Sequence, residues 1–70
     1  MPLQNNIKQY REQSSLNQTE LAKICDVSRQ TISSIERGDY HPSIVLALKL
    51  AQYFSVTVED LFSYQEDLHE

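Results

Sequence analysis

A pattern typical of helix N-termini recurs along this chain. In each copy a polar residue able to cap a helix follows an apolar residue, and a second apolar residue stands five positions after the first. The capping side chain accepts a hydrogen bond from a free N–H group of the first turn, and the two apolar residues pack across that turn. Helix starts this close together leave room only for short helices. The copies are Leu16-Asn17 with Leu21, Val27-Ser28 with Ile32, and Val56-Thr57 with Leu61.

Single residues suggest the remaining helix boundaries. Ser43 is a fourth capping position, and the first helix starts near Asn5 or Asn6. Gly38 is a natural C-terminal stop for the third helix because glycine adopts a positive φ without strain. The chain is therefore expected to be all-α, with five helices at about 6–14, 18–24, 29–37, 44–54 and 58–63.

The chain is expected to form a single domain that covers residues 1–70. A chain of 70 residues can build one compact core at most. It contains no internal repeat and no linker-like run rich in proline and glycine. Residues 3–5 and 62–65 alternate weakly and could pair as a two-stranded ribbon between the termini.

Composition argues against several classes of function. The single cysteine, Cys25, cannot build a disulfide framework or a cysteine-rich zinc site, and one glycine cannot form a phosphate-cradling loop. His41 and His69 lie in a loop and in the C-terminal tail without a paired acid, so we expect no enzyme, no metal and no cofactor. No apolar run approaches the ~18 residues of a membrane span. A soluble cytoplasmic protein without a membrane partner is expected.

The charge is distributed unevenly between the two halves of the chain. The formal net charge of −4 and the pI of about 5.0 argue at first against nucleic acid as a partner. Residues 1–38, however, carry a balance of +1, and residues 39–70 a balance of −5. The acidic half is either an ordinary solubilising surface or the back of a molecule whose mildly basic face binds a ligand.

The predicted helix at 29–37 has one wholly polar face. On a helical wheel at about 100° per residue, Ile32 and Ile35 form the buried stripe. Arginine binds guanine O6 and N7, glutamine binds adenine N6 and N7, and serine contacts a base or a phosphate. The alternative is a surface helix that is rich in serine and glutamine and binds nothing. The polar face consists of Arg29, Gln30, Ser33, Ser34 and Arg37.

The element before this helix favours DNA binding. A short helix at 18–24 is separated from it by the turn Cys25-Asp26-Val27. Two short helices joined by a tight turn, the second with a polar outward face, form the helix-turn-helix arrangement.

The predicted helix at 44–54 is apolar almost all round, with only Lys49 and Gln52 polar. Such a helix must be covered on nearly every side. Neighbouring helices of the same chain can provide that cover, and a partner chain is the second possibility.

Four segments closely resemble the Cro/phage-repressor (XRE-type) helix-turn-helix family, above all its small stand-alone bacterial members. The resemblance extends from about Asn6 to Phe62 and implies a five-helix, lambda-repressor-like domain with a helix-turn-helix unit at about 18–37. The segments are Leu16-Asn17-Gln18-Thr19-Glu20-Leu21-Ala22, Val27-Ser28-Arg29-Gln30-Thr31-Ile32-Ser33, Ile35-Glu36-Arg37-Gly38 and Pro42-Ser43.

The resemblance also implies roles for individual residues. Arg11 and Glu36 match an ion pair that joins the first and third helices, and Cys25 matches a buried core position. Base-reading positions correspond to Arg29, Gln30, Ser33 and Ser34. Phosphate-binding positions correspond to Gln18, Thr31, Arg37, Tyr40 and Ser43.

The family typically forms homodimers through its C-terminal region, which corresponds to about 44–64 here. The implied function is sequence-specific binding of double-stranded DNA by a homodimeric transcriptional regulator, a repressor at a palindromic operator with the helix at 29–37 in the major groove. The alternative is an antitoxin-like or co-regulatory module that binds a protein partner. A small-molecule effector is unknown. The implied dimer interface contains Leu50, Tyr53, Phe54, Val56, Val58, Leu61 and Phe62.

Two residues depart from the family pattern. Asp26 occupies a turn position that is often glycine, and aspartate adopts the left-handed conformation at a modest cost. Asp39 follows Gly38 where lysine is common, which predicts weak non-specific affinity for DNA.

Overall fold

A computed structural model describes residues 3–65 and contains the five expected helices and the terminal ribbon. The C-terminal tail with His69 lies outside the described residues. Strands β1 and β2 are antiparallel, with Leu3 opposite Tyr64 and Asn5 opposite Phe62. The elements are β1 (Leu3–Asn5), α1 (Ile7–Gln13), α2 (Gln18–Cys25), α3 (Arg29–Arg37), α4 (Ile44–Phe54), α5 (Val58–Leu61) and β2 (Phe62–Tyr64).

The four capping residues predicted from the sequence cap their helices. The Asn17 side chain accepts from the Glu20 N–H at 2.8 Å, and the Glu20 carboxylate accepts from the Asn17 N–H at 2.8 Å, so the two form a reciprocal capping box. Thr57 and Asp60 form a second box at α5. Ser28 and Ser43 cap α3 and α4 through their hydroxyl oxygens. The first helix has no side-chain cap at Asn6.

The fifth helix is shorter than the expected 58–63 because its last residues join the ribbon. α5 ends at Leu61, and Phe62 is extended with φ −129° and ψ 142°. The Leu61 carbonyl accepts a hydrogen bond from the Asn6 N–H at 2.8 Å, so the chain turns from helix into strand where it meets β1.

The helix-turn-helix turn contains Asp26 in the left-handed conformation, with φ 60° and ψ 46°. Its N–H bonds to carbonyls of the last turn of α2, and the next residue, Val27, donates to the Ala22 carbonyl at 3.0 Å. Aspartate tolerates this conformation better than most side chains, so the turn forms without glycine.

The core receives a side chain from every helix. Ile32 and Ile35 of α3 are buried, as the wheel predicts, and this leaves the opposite face of α3 outward. Burial of apolar side chains is the main favourable term in a domain of this size. The largest fully buried side chains are Ile7, Leu21, Ile32, Ile35, Leu50 and Leu61, together with Cys25.

A nearly buried ion pair joins α1 to α3. Arg11 Nε lies 2.7 Å from Glu36 Oε2, Arg11 Nη2 lies 3.2 Å from Glu36 Oε1, and the two side chains are 10% and 6% exposed. Arg11 Nη1 also donates to the Leu16 carbonyl at 2.8 Å. The hydrogen bond with Glu36 raises the pKa of Arg11 above its ordinary value, although desolvation acts in the opposite direction.

Replacing Arg11 by alanine should destabilise the domain strongly. Removal of one partner of a buried ion pair leaves the other charge without compensation, at a cost of about 3–5 kcal/mol. Urea denaturation followed by circular dichroism measures the effect. Lys8→Ala removes an exposed cation from the same helix and should change stability by less than about 0.5 kcal/mol. Equal effects of the two substitutions would show that the Arg11 pair does not stabilise the fold.

Cys25 should be unreactive in the folded protein. The residue is 1% exposed, and burial raises the pKa of its thiol, with Lys49 acting in the opposite direction. A thiol-specific disulfide reagent at pH 8 should therefore react at least about a hundredfold more slowly with native than with urea-unfolded protein. Because the raised pKa belongs to the folded state, stability should fall as the pH rises above about 8.5, the pKa of an ordinary thiol. A native rate close to the unfolded rate would contradict the observed burial.

Candidate nucleic-acid interface

The helices α2 and α3 are joined by the short turn that begins at Asp26, and α3 packs on the core through Ile32 and Ile35. Because both isoleucines face inward, the opposite side of α3 is open to solvent. This side is the only part of the helix that can approach a ligand as large as a DNA duplex.

The outward side of α3, which we term the recognition face, consists of Arg29, Gln30, Ser33, Ser34 and Arg37. Arg29, Gln30 and Arg37 are exposed, and the two serines are half-buried. Together the five side chains line one concave polar surface. The four base-reading positions expected from the sequence are therefore adjacent in space. Their neighbour Arg37, expected at a phosphate, belongs to the same surface.

Arg37 makes three hydrogen bonds on this face. Nη1 donates to Ser33 Oγ at 2.6 Å, Nη2 to Ser34 Oγ at 3.3 Å and Nε to Asp39 Oδ2 at 2.9 Å. Both charged side chains of the pair with Asp39 are more than half exposed. The sequence identified Asp39 as an unusual residue but did not predict its contact with Arg37.

Gln18 connects the recognition face to the buried ion pair. Its Nε2 donates to Glu36 Oε1 at 3.0 Å, and its Oε1 accepts from Arg29 Nη1 at 3.2 Å. Hydrogen bonds therefore run from Arg11 through Glu36 and Gln18 to Arg29. The resemblance implies a phosphate contact for Gln18. Its contact with Arg29 was not predicted because it depends on how α2 and α3 cross.

The other expected phosphate-binding residues lie in two places. Thr31 and Tyr40 line a second shallow concavity, which they share with Gln30 of the recognition face. Thr31 Oγ1 is 3.0 Å from Ser28 Oγ, and Tyr40 is exposed. Ser43 lies outside this concavity and caps α4 by accepting from the Leu46 N–H at 3.1 Å. Its hydroxyl hydrogen remains able to donate.

The expected dimer interface needs a correction. Leu50 and Leu61 are fully buried inside the monomer. Leu50 lies on the side of α4 that packs into the core, and Leu61, the last residue of α5, also points into the core. They offer no surface to a partner chain. Tyr53 is 44% exposed and makes an edge contact with Phe54. The remaining members, Phe54, Val56, Val58 and Phe62, are half-buried and pack against the core.

Another part of α4 is apolar and exposed. Ile44, Val45 and Leu48 are 75%, 62% and 51% exposed, although the implied interface omitted all three. On the helical wheel Leu48 is about 140° from Tyr53, so the two residues lie on different sides of α4.

The described residues 3–65 contain no group of His, Cys, Asp and Glu side chains that could hold a metal ion. Within the same range no helix is long and apolar enough to cross a membrane. His41 is exposed in the loop before α4.

Comparison with known proteins identifies the family. The helix-turn-helix family model matches residues 7–61. An uncharacterized HTH-type transcriptional regulator of Methanocaldococcus jannaschii is 49% identical over 65 residues, which span 93% of this chain and 98% of that protein. A second such regulator, from Bacillus subtilis, is 40% identical over 65 residues, which again span 93% of this chain and 98% of that protein.

Solved structures show the same fold. The N-terminal DNA-binding domain of SinR from Bacillus subtilis is similar with a TM-score of 0.70 and 36% identity, over 77% of this chain and 80% of that one. The SOS-response transcriptional repressor LexA from Eubacterium rectale is similar with a TM-score of 0.77 and 31% identity, over 93% of this chain and 68% of that one. The chain therefore belongs to the XRE-type helix-turn-helix family of DNA-binding transcriptional regulators.

Proposed function

We propose that this protein is a homodimeric repressor that recognises a palindromic operator through α3 in the major groove. The observation that carries the proposal is the recognition face, where two arginines, a glutamine and two serines line one concave surface. The only carboxylate of α3, Glu36, is turned away and bonded to Arg11. The face therefore presents hydrogen-bond donors where the groove presents base and phosphate acceptors.

Base reading is assigned to Arg29, Gln30, Ser33 and Ser34. Arg29 is the first residue of α3, and a recognition helix contacts base edges with its N-terminal residues. Its side chain donates a hydrogen bond to Gln18 of α2, which holds it in place. Arg29 is suited to guanine and Gln30 to adenine, whereas the serines are suited to either base. These are contacts that discriminate between sequences.

Phosphate binding is assigned to Gln18, Thr31, Tyr40 and Ser43, and the resemblance implies the same role for Arg37. Gln18 is the first residue of α2, whose N-terminal N–H groups and dipole favour an anion. Thr31 and Tyr40 line one concavity together with Gln30, so their hydroxyl groups can donate to a phosphate next to a base-reading residue. Such contacts fix the register of the protein on the duplex without reading its sequence.

We propose a single domain at 1–70, with the helix-turn-helix unit at 18–37 and dimerisation through 44–64. A net charge of −4 leaves one protomer with little general attraction for DNA. Two protomers double the contacts, and recognition helices about 34–36 Å apart match successive major grooves on one side of the duplex. A repressor role agrees with the name of the similar protein LexA.

Selection of bound fragments from random and genomic duplexes tests DNA recognition directly. We expect an inverted repeat with half-sites one helical turn apart, and an affinity that falls linearly on a plot of log K against log salt. A protein that enriches no sequence and binds no duplex at low salt would contradict the proposal and favour a module that binds a protein partner.

Arg29→Ala and Gln30→Ala should each relax the preference at one base pair of the selected half-site. Loss of a bidentate contact costs about 1–3 kcal/mol at that pair and little elsewhere. Binding curves with the operator and its single-pair variants measure the effect. Tyr40→Phe is the comparison, because loss of a phosphate contact should weaken all duplexes alike. If all three variants lose affinity uniformly, Arg29 and Gln30 do not read bases.

Tyr53→Glu should weaken dimerisation by about 2 kcal/mol, or roughly thirtyfold, because it introduces a charge beside Phe54, on the side of α4 that the family resemblance places in the interface. Analytical ultracentrifugation measures the dissociation constant. Leu48→Glu is the matched control, since Leu48 is similarly exposed but lies on a different side of α4. Dissociation by Leu48→Glu and not by Tyr53→Glu would place the interface on Ile44, Val45 and Leu48 instead.

A further inference from the structure

We infer that Arg37 reads a guanine and that Asp39 is the residue that positions it. This inference rests on the proposed function and adds a third long side chain to the base-reading set. It departs from the phosphate contact that the family resemblance implies for Arg37.

Arg37 is the last residue of α3, but its guanidinium lies one turn nearer the helix centre. Side chains on an α-helix lean towards its N-terminus and cover the residues three and four positions earlier. Arg37 follows this rule, because its terminal nitrogens bond to Ser33 and Ser34. The charged group therefore lies on the recognition face, along the same concave surface as Arg29 and Gln30.

The hydrogen bonds of Arg37 leave part of its guanidinium available. The group has five N–H donors, and three of them are engaged, one on each nitrogen. One N–H on each terminal nitrogen therefore remains. Two N–H groups on one edge of a guanidinium match the O6 and N7 acceptors of guanine, the commonest specific contact of arginine in the major groove, and we assign the remaining donors of Arg37 to that contact.

Asp39 is fixed in place by the end of α3. Gly38 takes the left-handed conformation, with φ 82°, and so folds the chain back on the last turn. The Asp39 N–H donates to the Ser34 carbonyl at 2.9 Å. Its carboxylate then lies beside Arg37 Nε, the nitrogen farthest from the outer edge of the guanidinium.

The Arg37–Asp39 pair affects binding more than stability. Exposed ion pairs contribute little to folding, and both side chains here are about 60% exposed. The pair does restrict the rotamers of a long side chain, so less freedom is lost when Arg37 meets a base. It also neutralises the guanidinium, which weakens the pull of any phosphate on Arg37.

The experiment uses full-length protein and the duplex that the wild type selects. Dissociation constants are measured for the operator, for each single-pair replacement and for random duplex, at several salt concentrations. The variants are Arg37→Lys, which retains the charge but not the planar fork, and Asp39→Asn. Glu59→Gln is the control, because it removes one exposed carboxylate from α5. Thermal unfolding verifies that every variant is folded.

We expect wild-type protein to prefer a G·C pair at one position of each half-site by about ten- to a hundredfold, and Arg37→Lys to abolish that preference alone. Asp39→Asn should reduce the same preference. It should also steepen the slope of log K against log salt on random duplex by up to about 0.9 per protomer, because the released arginine can neutralise a phosphate. Glu59→Gln should change neither quantity.

Two results would overturn the inference while the proposed function stands. If Arg37→Lys weakens binding to every duplex by the same factor, Arg37 contacts phosphate. If Asp39→Asn matches Glu59→Gln in both quantities, Asp39 does not position Arg37. A wild-type protein with no preferred duplex would instead overturn the proposed function, and this inference with it.

Discussion

The carboxylate of Glu36 determines how three helices fit together. It belongs to α3, and it accepts hydrogen bonds from Arg11 of α1 and Gln18 of α2 while only 6% exposed. A carboxylate this deeply buried would be costly without donors, so the charge is tolerated only when the three helices adopt this arrangement. Because Gln18 also contacts Arg29, the constraint extends from the interior to the recognition face.

Hydrogen bonds within the protein also hold the arginine at each end of the recognition face. Arg29 is held by Gln18 from the neighbouring helix, and Arg37 by the two serines of its own helix and by Asp39. A free arginine side chain carries about 2 kcal/mol of rotamer entropy, part of which is lost on binding. Contacts within the free protein reduce that loss. In the proposed function, the gain appears as selectivity, since arginines restrained in this way fit fewer arrangements of acceptors.

Local features of the sequence predicted most of the fold. Asn17, Ser28 and Thr57 identified helix starts because a capping side chain bonds to its own first turn and needs no distant partner. The prediction that α5 extends to residue 63 was wrong, because Phe62 pairs with Asn5 from the N-terminal strand. For a helix apolar nearly all round, periodicity does not tell the core side from the exposed side. Burial of Leu50 and exposure of Leu48 therefore depend on tertiary geometry. The contact of Arg37 with Asp39 is local, and it follows from the left-handed Gly38 between the two residues.

The net charge of −4 is consistent with recognition through a few restrained side chains. General attraction to DNA depends on how many phosphates a protein neutralises, and two exposed arginines on α3, one of them paired with Asp39, neutralise few. Direct contacts to base edges depend instead on the positions of donors, which the Glu36 network and the Asp39 pair restrict. A regulator built in this way would release few counterions from any duplex. Its preference between duplexes would therefore rest on hydrogen-bond geometry, to which salt contributes little.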